Sequence, residues 1–503
     1  MVGDGGQAAR ERVSTAWRLW FAASMVVVAL AGAVNVPLPF TGDEALYTLG
    51  ARELSHGAVM YRDFWDFKPP GIYWFYEAGS ALLGFTEVGQ HTWELLWWLA
   101  FAAFLAYVLR GRLRHPLLAA LAPLVVAAYL LVLRPNDLGQ VEDLLAIPLF
   151  VSMWAVDDSR GPLPRWRWFV SGVAGAIVVL LKHPFAIIPL AFWLRAFVRA
   201  KRRDDRFDVR AAGALVLGFV VPLVPVVVYF AATRQWGNVW WTYVEYAPKT
   251  SSIDVRPFSR FRAGAGHVLG DQLPFFALGI VAVVAQLRGR RRPFVTELVV
   301  WLVLAVPVVL AGLWWPYHFL VFEIPLMVLA LFGLDELVGR LSRRQTYAAA
   351  LAGLVLLAPM ARDGEHKVKE AARHDFGLTV DGRRSLRELY ESDYARAPQL
   401  TAFLRQPGAR PGDIYVLGNP LFQLQSGRGQ AISYNGWNAD VSNRELFRRT
   451  RDELAQKRPP YVFVDVAARQ LISERSPELD QFLAQQYHEL QRSDVGTWYE
   501  SNS

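Results

Sequence analysis

Asp43 and Glu44 stand side by side directly after the first long apolar run. The segment they open, FTGDEALYTLGARELSHGAVMYRDFWDFKPPGIYWFYE, carries four more carboxylates (Glu53, Asp63, Asp66 and Glu77) and sets Lys68 in a Lys-Pro-Pro turn. This combination suits transfer to a hydroxyl: an ionised carboxylate takes the acceptor proton, and a cation neutralises the anion that leaves. Further ionisable residues lie beside later apolar runs: Arg134, Asp137, Glu142 and Asp143, then Lys182 and His183, then Tyr317, His318 and Glu323. A charge at membrane depth costs about 2.5–3.5 kcal/mol on insertion scales and marks a site by default. We expect these groups to share an outward-facing cavity. Spacing alone leaves two chemistries open, transfer from a lipid-phosphate donor and proton-coupled transport.

The elements that must position them are membrane helices. Of 503 residues, 53% are hydrophobic, with 19 Trp and 30 Phe, a balance rare in a water-soluble globule. There is no cysteine, which excludes disulfides, thiolate metal sites and a cysteine nucleophile. Apolar runs fall at about 17–36, 90–109, 116–133, 143–157, 168–181, 184–198, 211–232, 272–287, 295–311, 317–334 and 345–361, giving about eleven transmembrane helices. The net charge of +8 does not point to nucleic acid, because Arg and Lys gather in short clusters between these runs. Six such clusters fall on one side when eleven helices are threaded. This predicts a multi-pass protein of the cytoplasmic membrane, with a cytoplasmic amino terminus, a retained first helix and an external carboxy-terminal domain. We divide the chain into a membrane domain (1–361), whose first external loop spans 41–87, and a soluble α/β domain (362–503). In the latter, DIYVLG (413–418) and YVFVDV (461–466) read as buried strands, with a helix over 443–457 between them.

The opening segment closely resembles the first external loop of the GT-C glycosyltransferases of the protein mannosyltransferase type (glycosyltransferase family 39-like), a group that includes the bacterial lipid A aminoarabinose transferases. The shared features are an Asp-Glu pair beyond the first helix, the amphipathic YTLGAREL, and Asp-x-Lys-Pro-Pro before an aromatic-rich helix. GQVEDLLAIPLF resembles the family's second acidic motif, GVAGAIVVLLKHPFAIIPL its Gly-rich helix ending in Lys-x-Pro, and WPYHFLVFEIPLMVLAL its late helix with Tyr or His at the outer mouth. The resemblance covers about 1–335. It implies a GT-C fold and an inverting hexosyl- or pentosyltransferase. The partners it implies are a polyprenyl-phosphate sugar donor, membrane lipid, and a glycan, lipid or protein acceptor. It makes Asp43 the catalytic base and Glu44 its neighbour, and it assigns Lys68, Arg134, Lys182, His183, Tyr317 and His318 to the donor phosphate and lipid. Glu142 and Asp143 form the second acidic motif. One departure is Glu94, in HTWELL, where relatives often carry Arg.

Each assignment has a plainer counterpart. Asp43 also suits the first turn of a capped helix. Lys68 also pairs with Asp66 or Asp63, Glu142 or Asp143 caps a helix, Lys182 and His183 snorkel to the interface, and Tyr317 and His318 join an aromatic belt. The Trp-rich 236–246 stretch reads as interfacial. The nine His show no metal-ligand spacing, so no metal is expected to be required, although a divalent ion is left open. The leading expectation is a glycosyltransferase. A flippase or transporter of a lipid-linked glycan is the alternative, and a sensor with an external α/β domain is the third reading. Reporter fusions after Arg344 and at the carboxy terminus are expected to fall on opposite sides of the membrane; both on one side would remove the odd helix count.

Overall fold

The computed structural model describes residues 4–159, 161–204, 208–250, 258–266, 272–289, 292–341, 392–437 and 442–502. The apolar run expected at 345–361 lies outside them. Each of the other ten runs forms helix, and Thr15–Ala33, Glu87–Leu109, Arg165–Arg203, Val209–Ala232, Pro293–Ala311 and Pro316–Gly339 are long and apolar enough to cross a membrane. Pro116–Val132 and Leu273–Leu287 are apolar but shorter. The stretch Arg165–Arg203 is not one rod. Lys182 is extended (φ −158, ψ 92) and His183–Ala186 forms a 3-10 turn. The legs Arg165–Lys182 and Ile187–Asp204 then run back along each other, with Trp168 stacked on Phe197 at 4.4 Å and the Trp193 indole donating to Ser171 at 2.8 Å. The expected division at Lys182 is therefore the turn of an antiparallel hairpin.

The chain makes two compact units. One holds Met1–Pro37, His91–Leu223 and Phe258–Gly382. Water gives no hydrophobic drive between helices in lipid, so close packing needs small residues at the crossings. A Cβ on Gly172 would lie 2.2 Å from the Leu215 carbonyl oxygen, and one on Gly218 would lie 2.0 Å from that of Phe169. These two glycines let the Arg165–Lys182 and Val209–Ala232 helices touch backbone to backbone.

The second unit joins Leu38–Gln90, Val224–Pro257 and Arg383–Ser503. Its sheet has β1 (Tyr415–Leu417), β2 (Tyr461–Asp465), β3 (Tyr487–Arg492) and β4 (Gly496–Ser501) in the order β1-β2-β4-β3. Strands β1 and β2 are parallel, with Val416 opposite Phe463, and β4 lies antiparallel to β2 and β3. Side chains alternate across the sheet. Tyr415, Leu417, Val462 and Val464 pack on one face with Phe447, Leu454, Ile472 and Leu483. Val416, Tyr461, Phe463 and Trp498 pack on the other with Leu404, Phe422 and, from the first loop, Phe40 and Ala45. The loop beyond the first membrane helix is thus part of the core of the carboxy-terminal sheet.

Because Gly218 meets backbone rather than a movable side chain, Gly218→Val is expected to separate the two helices and lower the unfolding temperature of the detergent-solubilised protein by several degrees. Gly213, on the same helix with open space about it, is the control: Gly213→Ala is expected to leave that temperature unchanged.

Candidate active site

Thr41 has extended backbone (φ −87, ψ 175) and caps the helix Gly42–Ser55. Its backbone N–H and hydroxyl donate to Glu44 Oε2 at 3.0 and 3.3 Å, the reciprocal arm of a capping box. Glu44 is fully buried there. Asp43, one residue earlier, points elsewhere. Its Oδ1 accepts from Lys68 Nζ at 3.1 Å and from the Trp437 indole N–H at 2.7 Å, and the residue is 7% exposed. Both donors, together with the helix N-terminus, favour the ionised carboxylate. Lys68 Nζ also lies 4.6 Å from the centre of the Tyr47 ring. The two adjacent acids of the sequence therefore divide: Glu44 closes the helix, and Asp43 faces a cation and an indole.

The loop that carries Lys68 is fixed on several sides. Asp66 is fully buried, accepting from the Phe67 backbone N–H at 2.8 Å and from the Tyr73 hydroxyl at 2.5 Å. Burial pushes its carboxyl above the usual range, while Lys68 and Tyr73 pull the other way. Tyr61 sits in the left-handed region (φ 66), a strained place for a large side chain. Its hydroxyl bonds the Lys68 carbonyl at 3.0 Å and meets the Tyr243 hydroxyl at 2.5 Å, while its backbone N–H donates to the Phe64 carbonyl at 2.7 Å, so the strain is held at the ring's tip and at the backbone. Trp65 donates from its backbone to the Ser433 carbonyl at 2.7 Å and from its indole to Thr242 at 2.9 Å, and its ring packs against Trp241, Tyr246 and Tyr434. In this way the Trp-rich stretch supports the loop from behind, while Trp236 and Trp240 stay exposed.

The other unit holds a second charged group. Buried Glu142 pairs with Lys182 and lies 3.6 Å from His318 Nε2. The Tyr317 ring stands edge-on to that of His318 at 4.8 Å. Asp143 is fully buried and accepts from Tyr129 and, at 3.3 Å, from the Trp98 indole. Glu94 accepts from the Gly139 backbone N–H at 3.2 Å, holding the turn that precedes the second acidic motif. The Arg134 backbone N–H is bonded by Asp137, and the Arg134 and His183 side chains are exposed. Of the residues assigned from sequence, the fold brings together Asp43 with Lys68, and Glu142 with Lys182 and His318. Among the described residues no three His, Asp or Glu are grouped so as to hold a metal ion.

Trp437 did not come from the sequence reading. Its mark there is a Trp in the polar, turn-forming SYNGWN, hundreds of residues from the acid it bonds.

This architecture is the GT-C fold of polytopic membrane glycosyltransferases, with the expected small carboxy-terminal sheet. The crystal structure of ArnT from Cupriavidus metallidurans bound to undecaprenyl phosphate is similar to it with a TM-score of 0.61 at 14% sequence identity, covering 96% of this chain and 97% of that one. The likeness is one of fold. No family model matches the chain, and no curated protein matches it.

Asp66→Ala strips the acceptors from the Phe67 N–H and the Tyr73 hydroxyl, at about 1–3 kcal/mol for each buried donor left unmet. Asp66→Ala is expected to lower the unfolding temperature and to release the loop to proteolysis between Gly57 and Lys68. Tyr73→Phe, which removes one bond, should do each to a lesser degree.

Proposed function

We propose that the chain is a membrane glycosyltransferase that moves a sugar from a polyprenyl-phosphate donor to a lipid, glycan or protein hydroxyl at the outer face of the cytoplasmic membrane. The observation that carries this is the ion pair of Asp43 and Lys68 at the start of the first external loop, on a fold shared with a protein crystallised with undecaprenyl phosphate. Asp43 accepts the acceptor's proton as its oxygen bonds the anomeric carbon. The bond from that carbon to the phosphate oxygen breaks with inversion, and the polyprenyl phosphate leaves as an anion. Lys68, already beside Asp43, is the cation nearest to the reacting carboxylate and neutralises charge that passes from base to leaving group. On the family resemblance alone, we assign Arg134, Lys182, His183, Tyr317 and His318, all of the other unit, to the donor's phosphate and lipid. Glu142 holds Lys182 and His318 in place between turnovers.

Asp43 is the better base of the adjacent pair. The Glu44 carboxylate is occupied by its own helix cap and lies fully buried. A positioned general base is worth typically about 10²–10⁴-fold.

Purified protein in proteoliposomes, given hexosyl and aminopentosyl undecaprenyl phosphates with lipid, glycan and protein fractions of the cell envelope, is expected to transfer sugar and release undecaprenyl phosphate. Movement of the donor across the bilayer without bond cleavage would establish a flippase instead. Asp43→Asn keeps the volume and loses the base, so turnover is expected to fall by roughly two orders of magnitude or more while donor binding persists. Near-parental turnover in Asp43→Asn would remove Asp43 from the role.

A further inference from the structure

We propose that Trp437 is a positioning residue for the reaction: its indole N–H fixes the Asp43 carboxylate, and the carboxy-terminal domain thereby completes the catalytic centre. The inference rests on the assignment of Asp43 as base. Three observations carry it. The Trp437 indole donates to Asp43 Oδ1 at 2.7 Å, a shorter contact than the 3.1 Å from Lys68 to the same oxygen. The helix that bears Asp43 is shaped to receive the ring, since a Cβ on Gly42 would stand 2.0 Å from Trp437 Cζ2. Finally, the residue is placed by the loop it serves. Asn435 accepts from the Trp437 backbone N–H at 3.2 Å and donates to the Trp65 carbonyl at 2.9 Å, so one side-chain amide ties Trp437 to the segment that leads into Lys68.

The chemistry of the contact differs from that of Lys68. An indole N–H is a donor only and carries no charge, so it orients the carboxylate and favours its ionised form without adding a cation that would compete for the phosphate. Asp43 is faced by Lys68 and Asp66 from the loop and by Glu44 on its own helix. Among these groups Trp437 is the neutral donor, and it fixes which oxygen is held and hence how the carboxylate is turned toward an incoming hydroxyl.

The test is Trp437→Phe in the full-length protein, which keeps an aromatic ring against Gly42 and removes the N–H. Turnover is expected to fall about tenfold or more, with the donor KM little changed. The acid limb of the kcat profile should move to higher pH, because a hydrogen bond to the ionised form is lost. Unaltered turnover and an unaltered acid limb would overturn the inference. Gly42→Ala, which drives the indole away while leaving it in the chain, should reproduce the shifted limb. A second readout needs no turnover: in fluorotryptophan-labelled protein, the fluorine resonance lost in Trp437→Phe should titrate with pH in the parental chain and stay flat in Asp43→Asn. A resonance that ignores Asp43→Asn overturns the contact. A parental protein that transfers no sugar overturns the glycosyltransferase reading whichever way the resonance behaves, so the two failures are told apart.

Discussion

A carboxylate that is to take a proton beside a membrane must be kept charged while almost out of water. Desolvation works against this, and only partners restore the balance. Asp43 meets the condition with a cation, an indole N–H and a helix N-terminus, none of which comes from the same place in the chain. Much of the second unit follows from that requirement. Lys68 reaches Asp43 because Asp66 and Tyr61 hold its loop, and Trp437 reaches it because Phe40 and Ala45 pack into the carboxy-terminal core.

The same balance appears in the first unit, where several arginines, among them members of the basic clusters between apolar runs, are committed to buried acids. Arg112 pairs with Asp157, Arg195 and Arg199 with Glu297, and Arg292 with Asp335 and Glu336. The Asp335 carboxylate also accepts the backbone N–H groups of Arg114 and His115 at 3.0 and 3.1 Å. Breaking a buried pair leaves an uncompensated charge, at about 3–5 kcal/mol, whereas an exposed topogenic arginine is worth little to stability. Arg112, Arg199 and Arg292 therefore lock helix ends together.

What was legible in the sequence was what periodicity and composition encode. The ten described apolar runs became helices, the helix at 443–457 became Arg444–Lys457, and DIYVLG and YVFVDV became β1 and β2. Strands β3 and β4 escaped because nothing in YHELQRSDVGTWYES forms an apolar run. Along β3 only Tyr487 is buried and the rest face water, as suits the charged edge of a sheet. The pairing of Asp43 with Lys68 was within reach, since both sit in one loop. The Trp437 contact was not, because closing a loop of that length is an act of tertiary packing that leaves no local pattern. Nor could the sequence say that the first loop and the carboxy-terminal sheet share a core, since Phe40 reads only as a residue just beyond the opening apolar run and carries no mark of a distant partner.

The division of labour between Asp43 and Glu44 follows from helix geometry. With Thr41 as the cap, Glu44 is at the third helical position, where a carboxylate can turn back to the cap's backbone N–H, and the 3.0 Å bond from that N–H to Glu44 Oε2 shows that it does so. Asp43, at the second position, is rotated by about 100° around the axis and cannot reach that N–H while facing Lys68. A shorter side chain there keeps the carboxylate close to the helix N-terminus, where the dipole favours its charge. The order Asp then Glu is thus not interchangeable. Exchanging the two would place the longer acid against Trp437 and leave the cap to a side chain too short to close it, which is why an Asp-Glu pair, rather than any two acids, begins this loop.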